Sequence, residues 1–249
     1  MAASLVLARG SAQSTTFQRW WDTRGDWVEA PNQRRDGESG VQRVRQRDPA
    51  QGALFCKRQV GHLYRSLLHP FGRPTVLRER QALDAFAALG VRVPRLVYCA
   101  AQQSAGQWRA LLVTEELQGF ISLEQWYRDD CRQHLGESIH RQMLEQVAET
   151  LARFHRARWQ HGCCYSKHLF INVEVEADLH CRVEVAVLDL EKSRRRLRAA
   201  DAARHDLRQL NRHRDGMPDQ DWSLFQAAYR QCFTPLSKAI QNAVPYITS

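Results

Sequence analysis

Apolar positions alternate in short runs through the first half of the chain and fall into helical stripes through the second. Trp27 to Ala30 and Val41 to Arg45 read as short strands around a polar turn, Arg34-Arg35-Asp36-Gly37-Glu38-Ser39-Gly40, and Leu54 to Gln59 reads as a third. Between Arg73 and Gly90 the period becomes helical. Val76, Leu77, Leu83, Phe86, Ala87 and Leu89 share one face, with Pro74 near the start and Gly90 as a stop signal. Arg95 to Cys99 and Arg109 to Thr114 alternate like paired strands, and Glu115-Glu116-Leu117-Gln118-Gly119 breaks the pattern as a linker. Ser122, three residues before Gln125, is a capping-box signature. A long amphipathic helix follows from about Ser138 to Ala157 on the stripe Ile139, Met143, Val147, Leu151 and Phe154. Two strands, Leu169–Val175 and Arg182–Leu190, precede a helical remainder from Ala199 onward. Strands first and helices afterward predict an α+β, bilobal fold: a small β-rich N-lobe over residues 19–117 and a helical C-lobe over 118–249, with 1–18 loosely ordered.

Composition is globular: 43% of the 249 residues are hydrophobic and 25% charged, enough for a sizeable core. The net charge of +9 favours acidic partners, whether nucleotide phosphates, nucleic acid, or anionic lipid and sugar head groups. The same surplus also fits a plain solvated, arginine-rich surface. With no recognised nucleic-acid motif, no nucleic-acid partner is expected. The seven cysteines are odd in number, none form a Cys-x-x-Cys pair, and the N-terminus lacks a charged start followed by an apolar stretch. Reduced thiols and a cytoplasmic protein are therefore expected. No apolar run nears the roughly 20 residues of a transmembrane span, which leaves peripheral membrane contact open.

Four dispersed features carry candidate chemistry. Lys57 lies in the apolar strand Leu54-Phe55-Cys56-Lys57, where its ammonium must stay wet or paired. It is either an edge lysine facing solvent or a phosphate clamp held straight by Glu79, in the early turns of the following helix. Gly37 and Gly40 can lay backbone N–H groups on phosphates, or simply shape a hairpin turn. The loop His161-Gly162-Cys163-Cys164-Tyr165-Ser166-Lys167-His168 closes on one apolar strand, and a second strand delivers Asp189. Kinase-like folds place a catalytic loop beside a metal-holding carboxylate in this way. His168 offers a second ligand or an orienting group, which favours a metal-holding Asp189 over the alternative of a strand-end aspartate capping a turn. The loop admits rival readings: zinc held by His161, Cys163, Cys164 and His168, or a nucleophilic Cys163. The run Ser193-Arg194-Arg195-Arg196-Leu197-Arg198 can grip an anionic acceptor or begin a solvated helix.

In this order the motifs resemble the Kdo/WaaP family of lipopolysaccharide core-sugar kinases, which have a protein-kinase-like fold, and within it the InaA branch. The stretches that carry the resemblance are Arg34 to Gly40, Phe55-Cys56-Lys57-Arg58-Gln59, Arg78-Glu79-Arg80, Val113-Thr114-Glu115-Glu116-Leu117, the His161–His168 loop and Asp189-Leu190-Glu191-Lys192, spread over roughly residues 20 to 230. The resemblance implies ATP and Mg²⁺ as cofactors. It implies that Lys57 contacts the α/β-phosphates while paired with Glu79, and that Glu115 to Leu117 form the hinge that receives adenine. It places His161 at the histidine of the catalytic loop, His168 where kinases keep a metal-binding asparagine, and Asp189 at the metal-chelating aspartate. Asp206 resembles a helix aspartate that braces the catalytic loop. One departure stands out: the catalytic-loop aspartate that accepts the hydroxyl proton falls at Cys163.

The expected activity is ATP/Mg-dependent phosphorylation of a sugar hydroxyl of the lipopolysaccharide inner core at the cytoplasmic face of the inner membrane. Cys163 supports an alternative, a weak or dead kinase-shaped binding protein in envelope stress; a Ser/Thr protein kinase is a lesser one. Either kinase reading expects positions 57, 79, 168 and 189 to converge.

Overall fold

The computed structural model describes residues 11–34, 37–67, 69–175 and 181–234. Residues 1–10, Arg35-Asp36 of the polar turn and residues 235–249 of the helical remainder lie outside them. The described residues of Met1–Asp84 and Pro94–Gln118 form one compact unit, and those of Ala85–Val93 and Gly119–Ser249 form another.

In the first unit, helix α1 (Ser11–Asp22) precedes strands β1 (Asp26–Arg34), β2 (Gly37–Arg45), β3 (Ala53–Val60), β4 (Leu63–Ser66) and β5 (His69–Pro74). Helix α2 (Thr75–Ala88) follows, then β6 (Leu96–Ser104) and β7 (Gln107–Glu115). Five strands make an antiparallel sheet in the order β1-β2-β3-β7-β6, while β4 and β5 form a separate two-stranded ribbon. The ribbon is absent from the sequence reading, because Pro70, Gly72 and Pro74 break its alternation.

Strand periodicity sorts β3 into two faces. Leu54 and Cys56 join Leu111 and Val113 of β7 in a cluster closed by Phe17, with Trp20 and Trp21 packed against it. Residues 11–18 are thus helical, against the loosely ordered segment expected. Phe17, Trp20 and Trp21 stand at i, i+3 and i+4 and give α1 one aromatic face, which the sheet buries. Arg58 secures the helix end by donating to the carbonyl of Trp20 at 3.3 Å and to that of Thr23. A cation also suits the negative end of a helix.

The other face of β3 carries Lys57 and Gln59, and meets α2. Gln59 Oε1 accepts from the Thr75 hydroxyl at 2.8 Å and from the Val76 N–H at 3.3 Å, fixing the first turn of α2. The buried line of α2 is Val76, Glu79, Leu83 and Phe86, while Ala87 of the expected stripe is exposed. A carboxylate therefore occupies a position that the helical period sends inward.

In the second unit, β8 (Ile121–Ser122) leads into α3 (Leu123–Arg128), α4 (Cys131–Leu135) and α5 (Glu137–Arg156). Strands β9 (Trp159–Gln160), β10 (Leu169–Val175), β11 (Cys181–Val187) and β12 (Arg194–Arg195) precede α6 (Ala199–Arg212) and α7 (Asp219–Phe233). Ser122 caps α3 by accepting the Gln125 N–H at 3.0 Å, whereas the Gln125 side chain turns to Asp129 and leaves the box half made. The stripe of α5 is wider than expected: His140, Leu144, Ala148, Ala152 and His155 join Met143, Val147, Leu151 and Phe154 in burial. Buried polar groups are satisfied across helices. Trp126 donates to His140 Nδ1 at 3.1 Å, His140 Nε2 meets Asp221 at 2.9 Å, and Tyr127 donates to Asp221 at 3.0 Å, joining α3, α5 and α7. The helix α2 ends at Gly90 with the Val91 N–H on the Phe86 carbonyl at 3.0 Å and the Gly90 N–H on the Ala87 carbonyl at 2.9 Å.

Because Phe17 is buried against the sheet, Phe17→Ala is expected to destabilise the protein by about 3 kcal/mol, the usual cost of emptying a core aromatic site. Denaturant unfolding checks this; a loss below about 0.5 kcal/mol would show that α1 does not cover the sheet.

Candidate active site

The first unit brings Lys57 and Glu79 together. Lys57 Nζ lies 2.8 Å from Glu79 Oε2, with the side chains only 14% and 9% exposed, so the edge-lysine reading gives way to a sheltered ion pair. In so dry a setting neither charge tolerates loss of its partner. Gly37 and Gly40 lie within β2 rather than in a turn. A Cβ at Gly37 would approach the His62 nitrogen to 2.6 Å, and one at Gly40 would approach the Trp27 ring to 2.8 Å. Close packing thus suffices to require glycine at both positions. Glu115 closes β7 and its carboxylate engages Arg95, with Nε to Oε2 at 2.6 Å. Glu116 is likewise held, by Arg43 at 2.8 Å and the Ala53 N–H at 2.9 Å. Among the described residues the Leu117 backbone takes no hydrogen-bond partner.

The second unit gathers His161, Cys163, His168 and Asp189 around a braced loop. Asp206, fully buried on α6, accepts the His161 N–H at 2.5 Å and the Gly162 N–H at 3.0 Å. His155 of α5 approaches the same carboxylate at 3.2 Å and His205 at 3.0 Å. Burial alone would raise the Asp206 pKa, but these histidine contacts more than offset it and hold the carboxyl well below the usual carboxylate range. Gly162 cannot carry a side chain here: a Cβ would lie 2.7 Å from the Lys192 carbonyl oxygen. The Ser193 hydroxyl donates to the His161 carbonyl at 3.0 Å and ties the loop to the segment after Asp189.

Asp189 lies two residues beyond the end of β11, not at a strand end as read from the sequence, in a left-handed backbone conformation (φ 56°, ψ 57°). Its side chain makes no capping bond to the short helical turn Leu190–Lys192 that follows. The carboxylate instead faces His168, with Nε2 at 3.7 Å from Oδ2. His168 Nδ1 lies 2.8 Å from the Cys163 carbonyl, which can only accept, so Nδ1 is the donor and Nε2 is the ring nitrogen turned toward Asp189. Two ligand atoms set this far apart can share one cation, since two ligands at about 2.1 Å reach up to about 4.2 Å. Mg²⁺ takes oxygen ligands, commonly one or two carboxylates, and completes its shell with phosphate and water, so the Asp189 carboxylate suits it and His168 suits the orienting role beside it. Among the described residues no three His, Cys, Asp or Glu side chains gather as a metal site, so the four-ligand zinc reading is not met.

Cys163 is 3% exposed, and all seven cysteines are free. Lys192 and Tyr165 close on its sulfur. The Lys192 pKa is raised chiefly by that contact; Tyr165 is raised first by burial and then by the same sulfur. Neither residue stood out in the sequence, because nothing in their spacing signals an approach to Cys163. Of the arginine run, Arg194 and Arg195 form β12 against β9, and Arg198 starts α6. The side chains of Arg194, Arg195 and Arg198 are exposed.

Residues 18–229 match the lipopolysaccharide kinase (Kdo/WaaP) family. The chain belongs to this family. It is 42% identical over 219 residues to Protein InaA of Escherichia coli (strain K12), covering 88% of this chain and 97% of that protein. Its fold is similar to that of WaaP solved in complex with acyl carrier protein, with a TM-score of 0.63 at 22% identity, covering 91% of this chain and 86% of that one. The α+β class expected from the sequence is the one built here, with a β-sheet in the first unit and helices dominating the second. Among the described residues no helix is long and apolar enough to cross a membrane.

The braced loop has a pH signature. Burial lowers the pKa of both His155 and His161. Their contribution to stability is therefore complete above about pH 6.5, the ordinary histidine value, and is lost as pH falls through their folded values. The depressed Asp206 acts in the same direction below about pH 3.9. Melting temperature is expected to decline on acidification from about pH 6.5, with a second loss in strong acid. Asp206→Asn is expected to cost roughly 3 kcal/mol at pH 7 and to remove the second loss. A melting temperature that rises between pH 7 and 5 would contradict the assignment.

Proposed function

We propose that this protein is an ATP- and Mg²⁺-dependent kinase that phosphorylates a sugar hydroxyl of the lipopolysaccharide inner core at the cytoplasmic face of the inner membrane. Membership of the lipopolysaccharide kinase family supports the reaction class and the acceptor. The observation that carries the reading is the Asp189 carboxylate 3.7 Å from His168, whose loop Asp206 holds through the His161 N–H.

In this proposal each charged group has one task. Lys57, straightened by Glu79, sets its ammonium on the α/β-phosphates. Gly37 and Gly40 let backbone N–H groups approach the phosphates. Glu115 and Leu117 receive adenine, with the unpartnered Leu117 backbone as the reading edge. Asp189 and His168 hold the divalent ion, which when bound neutralises charge on the transferring phosphoryl group. His161 keeps the loop in shape through its Nδ1, which accepts the Cys163 N–H at 3.3 Å. The exposed Arg194, Arg195 and Arg198 suit an anionic glycolipid acceptor. That the Lys57 and Asp189 groups serve one nucleotide is part of the proposal.

Cys163 stands where the acceptor hydroxyl meets its proton acceptor. Positioning and metal charge supply most of the catalysis in phosphoryl transfer, and a missing general base costs about 10²–10⁴-fold. Slow turnover is therefore compatible with a thiol at this position. The sheltered thiol also favours a second reading, a nucleotide-binding protein of this fold that does not transfer phosphate.

Purified protein with Mg²⁺, γ-labelled ATP and inner-core lipopolysaccharide separates the two. Transfer to the acceptor is expected, at least 100-fold weaker in Asp189→Ala and within about tenfold of wild type in Cys163→Ser. ATP binding without transfer would establish the second reading, and an Asp189→Ala variant as active as wild type would overturn the metal assignment.

A further inference from the structure

The β4–β5 ribbon displays two large apolar side chains that nothing in the unit covers. Leu67 is 102% exposed and Phe71 is 92% exposed. Ser66 pairs with His69, which puts Leu67 at the tip. Tyr64 pairs with Arg73, so one residue, Arg65, lies opposite three, Pro70-Phe71-Gly72. This bulge lifts Phe71 out of the ladder and turns it away from the protein. Bulges of this kind re-aim a side chain, and here the re-aimed side chain is apolar.

The charge carried by the ribbon's own segment has one sign. From Gly61 to Arg78 the chain contains Arg65, Arg73, Arg78 and two histidines but no Asp or Glu. Arg65 is exposed beside the bulge. Arg73 lies 3.2 Å from His69, and Arg78 stacks over Tyr64 at 4.6 Å, so both cations stay at the ribbon. Two isolated side chains are too small for a stable protein interface, which needs roughly 800 Å² on each partner. They are sufficient for a shallow wedge in lipid, where apolar tips enter the acyl boundary and flanking arginines meet anionic head groups.

We infer that the β4–β5 ribbon is a membrane contact: Leu67 and Phe71 insert into the surface of an anionic bilayer, and Arg65 and Arg73 bind its head groups. This rests on the proposed lipid-borne acceptor only for its location, and it stands or falls on a separate observation.

The test is vesicle flotation of the full chain, with phosphatidylglycerol-containing vesicles against pure phosphatidylcholine. Wild type is expected to float with the anionic vesicles, and Leu67→Ser/Phe71→Ser to lose at least tenfold of that binding. The melting temperature of the double variant should match wild type, and Phe71→Trp should retain binding. Wild type that ignores anionic vesicles, or a double variant that floats as well as wild type, would overturn the inference. So would a dimer in solution that the double variant dissolves, because the occupant would then be a second copy of the chain. Loss of flotation in the double variant supports the ribbon whatever the phosphotransfer assay gives, and failed phosphotransfer with intact flotation counts only against the kinase reading.

Discussion

One buried carboxylate sets the geometry of the candidate site. Asp206 is fixed on α6 and collects two consecutive backbone N–H groups, from His161 and Gly162. Buried N–H groups without partners are costly, so the loop can follow only a path that presents both to Asp206. That path carries the Cys163 carbonyl to His168 Nδ1. The ring is thereby oriented with Nε2 toward Asp189. Because the carboxylate also draws on His155 of α5, the loop is tied to the helical core rather than to its own short strands.

The first unit follows a similar logic with a different pair. The helical period of α2 sends Glu79 inward, and the alternation of β3 sends Lys57 to the same face. Each charge is stabilised by the other at 2.8 Å. The pair holds an ammonium in a defined place, which in the proposed function limits the ordering cost of binding a polyphosphate. Cys163 offers a sheltered sulfur near Lys192 and Tyr165. In the proposed function, metal and phosphate binding fall to other residues and do not require a base at this position.

Much of this was legible in the sequence where burial and period coincide. Glu79 sits on a helical stripe and Lys57 in an apolar strand, so their pairing follows from two periodicities. The Ser122 cap and the α5 helix were legible for the same reason. Helix α1 was not, because its apolar face consists of Phe17, Trp20 and Trp21 alone, among polar residues that read as a loose terminus. Gly37 and Gly40 suggested a turn, yet close approach of His62 and Trp27 keeps them glycine inside a strand. Asp189 was read as part of the strand, because Leu188 extends the apolar run after strand pairing has stopped at Val187. The Lys192 contact depends on where a loop returns in space, which no local pattern encodes. The role of Asp206 was available only through resemblance, since a helix aspartate beside a histidine is common on protein surfaces.

The most direct test of the central claim is calorimetric titration of the purified chain with ATP, in the presence and absence of Mg²⁺. The account predicts saturable binding that tightens when Mg²⁺ is present, and an Asp189→Asn variant in which that tightening disappears while metal-free binding persists. Binding that is absent, or identical with and without Mg²⁺, would contradict it.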